Sequence, residues 1–141
     1  MKIMLDKGAK TPTRAHTFDA GLDLYAPDNG IAYHITPGGG SITIDTLVHA
    51  QIPEGYAGFI KAKSGLNVKH GLTCTGVIDA HYTGSIAVKL YNHHGRKSYD
   101  VMPGDKIAQL VILPCLLPEL ELVDSLEDTD RGENGFGSTG R

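Results

Sequence analysis

At 141 residues and a formal net charge of −3, the chain has the size of one domain able to bury a real core. It lacks the basic surplus that a sequence-independent nucleic-acid binder carries, and no run of Lys and Arg exceeds two residues. No apolar run approaches a membrane span, and Met1-Lys2-Ile3 leads straight into a strand pattern with no long apolar signal region.

Eighteen glycines and seven prolines, set among frequent Val, Ile, Thr and Tyr, predict short strands joined by many turns, an all-β domain. Cys74 and Cys115 stand 41 positions apart with no Cys-x-x-Cys. That usage predicts two buried, reduced thiols in a cytoplasmic protein.

Residues 2–5 read as a first strand and residues 11–18 as a polar connection containing Pro12. In residues 20–27, Leu22, Leu24 and Ala26 alternate with Asp23 and Tyr25, which predicts a half-buried strand with Asp23 on its polar face. Residues 30–36 are a further strand candidate, and Pro37-Gly38-Gly39-Gly40 is a loop. Alternation resumes over residues 41–50 through Ile42, Ile44 and Leu47. A turn over residues 52–56 and a short strand over 57–62 follow.

Residues 64–71 break the pattern. Ser64 is a helix-capping residue type, Leu66 and Val68 are apolar, and Gly71 stops the run, so one or two helical turns are predicted, the only helix of the protein. Ser64 and Gly65 would then lie at a helix N-terminus beside Lys63, where backbone N–H groups favour an anion. A bare cap is the plainer reading of the same residues.

Residues 73–85 read as a tight β-hairpin with Asp79-Ala80-His81 as its polar tip, anchored in the core by Val77 and Ile78. A carboxylate on a rigid tip is placed to orient and deprotonate a water, with the flat face of Tyr82 beside it; turn capping is the other reading of Asp79. A strand over residues 86–91 leads to an exposed turn over 92–97. Its neighbouring His93 and His94 point to opposite faces of any strand and have no further ligand at metal spacing. After a turn over residues 101–105, residues 106–113 form the most apolar stretch. Gln109 within it must find hydrogen bonds, either as a structural tie or as a ligand donor. A last strand is expected over residues 119–123.

Composition then shifts. Residues 131–141 hold four glycines, two arginines, Ser138, Thr139 and a single Phe136, too little to build a core. The segment is either a frayed terminus or a flexible wrap for a polyphosphate, with Phe136 free to stack on a base. The expected division is a β-domain over residues 1–124 and a flexible arm over 125–141.

Five segments in order resemble the five motifs of the homotrimeric dUTPase family. They are Ala20-Gly21-Leu22-Asp23-Leu24, Lys63-Ser64-Gly65-Leu66, Gly76-Val77-Ile78-Asp79 with Tyr82 and Gly84, Gly104-Asp105-Lys106-Ile107-Ala108-Gln109-Leu110, and residues 131–140. The resemblance implies an all-β, distorted barrel or jelly-roll-like subunit, a homotrimer with active sites shared between subunits, and hydrolysis of dUTP to dUMP and pyrophosphate with Mg²⁺. The mild charge and the lack of a membrane-length apolar run add the expectation of no stable binding to nucleic acid or membrane.

By the same resemblance, Asp79 activates the water that attacks the α-phosphorus, and Tyr82 packs on the deoxyribose. Main-chain groups from Thr73 through Gly76, Val77 and Ile78 meet the uracil edge. Lys63, Ser64, Gly65 and Gln109 meet phosphates, and Asp23 acts through waters on a Mg²⁺ held by the triphosphate, with no direct protein ligand. Phe136 stacks on uracil while Arg131, Gly137, Ser138 and Thr139 close over the phosphates.

The chain departs from the family at Lys63, where arginine is usual, and at Thr83 and Ser85, where Arg and Glu are commoner. It departs also at Thr73, where many bacterial members have Asn, and at Leu47, a position often held by glycine. Two other readings share the barrel: a dCTP deaminase relative, which needs a pocket carboxylate where Ser85 stands, and a nucleotide-gated regulatory binding protein of phage type.

Overall fold

The computed structural model describes residues 1–133; Phe136, Gly137, Ser138 and Thr139 lie outside the described residues. Ten strands and one helix are described, in the order β1 (Lys2–Leu5), β2 (Gly21–Tyr25), β3 (Tyr33–Ile35), β4 (Gly40–Gln51), β5 (Tyr56–Lys61), α1 (Ser64–His70), β6 (Leu72–Thr73), β7 (Thr75–Ile78), β8 (Ser85–Asn92), β9 (Tyr99–Val101) and β10 (Lys106–Pro114). One four-stranded sheet runs β1-β4-β8-β6, a second runs β2-β10-β5-β7, and β3 pairs with β9. Every strand pair among the described residues is antiparallel. The arrangement is jelly-roll-like, and among the described residues the sheets do not close into a barrel.

The inner faces of the two sheets make the core. Ile44, Ile86, Val88 and Leu90 from one sheet meet Leu24, Ile60, Ile107 and Leu110 from the other, all nearly inaccessible to water. The aliphatic, largely β-branched character of these positions fits a pleated, buried surface.

The expected alternation along β4 runs Ile42, Ile44, Thr46, Val48 and Ala50, and it leaves out Leu47. The ladder with β8 shifts register between Asp45 and His49, and Leu47 there has φ +60°. The strand bulges, and a leucine occupies the left-handed conformation that favours glycine.

Four further expectations are corrected. Residues 73–85 are not a hairpin, because β7 pairs with β5 and β8 with β4 and β6, so residues 79–84 bridge two sheets. Val77 is 59% exposed and anchors nothing, whereas Ile78 does pack on the core. The α1 cap is the extended Lys63 rather than Ser64, with no side-chain cap, while Gly71 closes the helix in the left-handed region as predicted. Residues 119–123 form no strand; Leu116, Leu117, Leu120 and Leu122 stand almost fully exposed. Cys74 is buried as expected and Cys115 only half-buried, and both are free thiols. No described helix is long and apolar enough to cross a membrane.

Candidate active site

The first cluster forms around Asp23. It is 2% exposed, a correction to its expected place on a polar face. β2 is an edge strand, yet Thr13 covers its free side through N–H···O bonds in both directions with Asp23, and β10 covers the other. A buried carboxylate must be paired.

In the ladders, Gln109 lies opposite both Asp23 and Lys61, which puts Lys63, two residues past β5, within reach. Lys63 Nζ donates to Asp23 Oδ1, Lys106 Nζ donates to Oδ2 at 2.8 Å, and Gln109 Nε2 donates to Oδ1 at 3.4 Å. Burial pushes the Asp23 carboxyl up, but the bonds from Lys106 and Lys63 and the charge of Lys63 outweigh it and hold the group below its usual value. The Lys106 ammonium is raised by the same bond. Two ammoniums around one carboxylate leave a net positive charge, and both lysines reach solvent where Asp23 does not. Ser64 and Gly65 are exposed at the adjoining first turn of α1, and a Cβ on Gly65 would meet open space.

The second cluster is the run from Thr73 to Ser85. Thr73 is half-buried, its Oγ1 2.8 Å from His93 Nε2. Cys74 then crosses between sheets, its thiol pushed up to about 11 by burial and so protonated and unreactive at neutral pH. Gly76, Val77 and Ile78 follow in β7.

Asp79 opens a turn closed by the Tyr82 N–H on the Asp79 carbonyl at 3.1 Å. Its exposed carboxylate makes no hydrogen bond or ion pair among the described residues. Tyr82 folds back on its own loop, its hydroxyl donating to the Ser85 carbonyl at 2.9 Å. A Cβ at Gly84 would fall 2.4 Å from that hydroxyl oxygen, so only glycine admits the ring there.

Asp23, Lys63 and Gln109 are therefore brought together beside Ser64 and Gly65, while Asp79 and Tyr82 stand apart. Thr75 shares the ladder level of Lys61, Gln109 and Asp23, and Asp79 is four residues further along. That is about 13 Å along the strand and, from β7 to β2, three spacings or about 14 Å across. Arg131 belongs to a segment without helix or strand. Sequence reasoning assigned no role to Lys106; its signal was a cation opening the most apolar strand, three residues before Gln109. Among the described residues no group of three or more His, Cys, Asp or Glu side chains could hold a metal ion.

These features define a two-sheet β-domain with a lysine-rich cationic cluster at one level of a sheet and an unpaired aspartate on a turn at another. The dUTPase family model matches residues 7–140. The deoxyuridine 5'-triphosphate nucleotidohydrolase of Leifsonia xyli subsp. xyli is 42% identical over 93% of this chain and 86% of its own. That of Kluyveromyces lactis is 41% identical over 100% and 94%. Among solved structures, the Staphylococcus bacteriophage 80alpha dUTPase with dUpNHpp superposes at TM-score 0.88 and 34% identity, covering 99% of this chain and 98% of its own. A mutant dUTPase of phage phi11 of S. aureus with a structural Mg(II) ion gives 0.79 at 30% identity, over 90% and 98%. The chain belongs to the dUTPase family.

Proposed function

We propose that the chain hydrolyses dUTP to dUMP and pyrophosphate. The observation that carries the mechanism is Asp79, a solvent-facing carboxylate with no partner among the described residues, on a turn fixed by Tyr82. Such a group can take a proton from the water that attacks the α-phosphorus. The exposed edge of β7 offers the backbone of Gly76, Val77 and Ile78 to the uracil, with Thr73 just before it, and Tyr82 stands under the sugar. Lys63, Ser64, Gly65 and Gln109 receive the phosphates, where positioned positive charge stabilises the transition state.

The substrate is the magnesium complex of dUTP. Asp23 has both oxygens engaged by Lys63 and Lys106, so it would not be a direct ligand of the ion and would act on it only through water admitted when the nucleotide binds. Arg131, Phe136, Gly137, Ser138 and Thr139 close over the nucleotide. The separation of Asp79 from the Asp23 cluster supports a homotrimer in which one subunit's cationic cluster faces another's Asp79 turn. Ser85 stands where a deaminase would need an acid, and its hydroxyl is donated to Asp45 Oδ2 at 2.9 Å.

Pyrophosphate release measured across the deoxynucleoside triphosphates, with and without Mg²⁺, tests the reading: dUTP should be the one substrate cleaved. Asp79→Asn should keep the fold and nucleotide binding and lose about 10²–10⁴-fold in rate. Parental turnover in that variant, or equal turnover of dCTP, sinks the proposal.

A further inference from the structure

The turn that carries Asp79 and Tyr82 enters β8 through Thr83, and the Thr83 carbonyl is held from β4 by His49. The bulge at Leu47 makes Ser85 the ladder partner of His49. Bulges re-aim side chains, and this one leaves the His49 ring between two acceptors. Nδ1 lies 2.8 Å from the Thr83 carbonyl oxygen and Nε2 lies 3.0 Å from Asp6 Oδ2, with the side chain 18% exposed. A carbonyl and a carboxylate only accept, so both ring nitrogens must donate, and only the imidazolium carries two N–H groups. A neutral ring satisfies one acceptor and turns a lone pair on the other.

We propose that His49 is a positioning residue for the hydrolysis: its doubly protonated ring clamps the Thr83 carbonyl to β4 and so fixes the turn on which Asp79 and Tyr82 stand. This rests on the dUTP-hydrolysis reading above. His49 touches no reacting atom and acts through the backbone. The residue beside the clamp is tied to the same strand, by Ser85 Oγ on Asp45 Oδ2.

The charged surroundings favour the protonated ring. Asp6 faces it from the segment after β1 and Asp45 lies on β4, both favouring the charged ring, while Lys2 in the same groove opposes it; Asp79 and His81 sit further along the turn and do not line that groove. The ring is raised above its ordinary value, first by the Asp6 hydrogen bond and next by the Thr83 carbonyl, against partial desolvation. Below that raised value both bonds are made; above it the Asp6 carboxylate, the stronger acceptor, keeps the remaining proton on Nε2, the Thr83 carbonyl faces the Nδ1 lone pair, and the clamp opens.

The test is kcat and KM against pH for the assembled full-length protein, His49→Gln and Asp6→Asn. Amide exchange at Thr83 to Ser85 and the ¹⁵N shifts of the His49 ring are followed without substrate. In the parent, kcat should fall on the alkaline side in step with the ring titration, and exchange protection should fall with it. Asp6→Asn should move both midpoints to lower pH and keep the acid-side plateau. His49→Gln keeps one donor but cannot titrate. It should lose about 10- to 10²-fold in kcat, the cost of a misplaced catalytic group, with KM little changed and that limb absent.

An alkaline limb that stays in place in Asp6→Asn, or parental kcat in His49→Gln at every pH, overturns the proposal. Full dUTP hydrolysis by Asp79→Asn would instead overturn the hydrolysis mechanism, and protection at Thr83 would still follow the His49 titration.

Discussion

Gln109 lies directly over Gly21: a Cβ built at residue 21 would stand 2.9 Å from Gln109 Oε1 and 3.1 Å from its Cβ. The glycine is the space that lets the amide turn toward Asp23, two residues on. Gly21→Ala should displace Gln109 and cost about 1–3 kcal/mol, the range for an added methyl in a packed site. Activity should fall through weaker phosphate binding, read as a raised KM for dUTP in a protein that still folds. Unchanged KM and unchanged urea midpoint would show that the side chain gives way freely.

Acid should expose the role of Asp23. Its folded carboxyl is held below the ordinary 3.8, so the cluster's stabilisation is present above that value and is lost as pH falls through the lowered one. Asp23→Asn leaves two ammoniums facing each other, yet both side chains can swing toward water, so a loss of about 1–3 kcal/mol at pH 7 is expected rather than the full cost of a broken buried pair. The gap between variant and parent should narrow below about pH 4. A gap that is constant from pH 7 to pH 3 in chemical denaturation would contradict the ion-cluster account.

Leu47 has a left-handed backbone at φ +60° and a half-buried side chain, whose Cδ1 would lie 3.8 Å from a Cβ built at Gly8. Removing a half-buried leucine usually destabilises, but here glycine also relieves about 1–2 kcal/mol of backbone strain. Leu47→Gly should remain within about 1 kcal/mol of the parent, whereas Leu47→Ala, which keeps the strain and loses the contact, should be clearly worse. Equal stability of the two variants would show that the strain is negligible.

If residues 131–141 close over bound nucleotide as proposed, deleting them should leave folding and assembly nearly unchanged and abolish most activity, since such closure is expressed in catalysis. Mixed assemblies of tail-less subunits and Asp79→Asn subunits should regain part of it if arm and base come from different chains. No regain after proven subunit exchange would place both in one chain.

Much of this was legible one residue at a time. The strand cores, the short helix capped by Gly71, and the exposed Asp79 all follow from period and turn chemistry. What failed was pairing. The strand signals on both sides of Asp79 are real, but nothing local says that β7 will pair with β5 and β8 with β4. Parity also put Asp23 in solvent, because it assumes that one face of β2 is wet, whereas Lys63 and Lys106 arrive there from 40 and 83 residues away. The three-residue β9 is too short for any period, and His49 needed the bulge at Leu47, which alternation alone cannot foresee.

The Leu-rich stretch after β10 alternates like a strand yet pairs with no strand among the described residues and leaves its leucines open to solvent. Leu116, Leu120 and Leu122 are each more than nine-tenths exposed. Surface of that kind makes the folded state answer to mass action: any like chain that covers it stabilises the native form in proportion to how much protein is present. The melting temperature should then rise with protein concentration, and a dilute sample should lose native structure under conditions that a concentrated one survives.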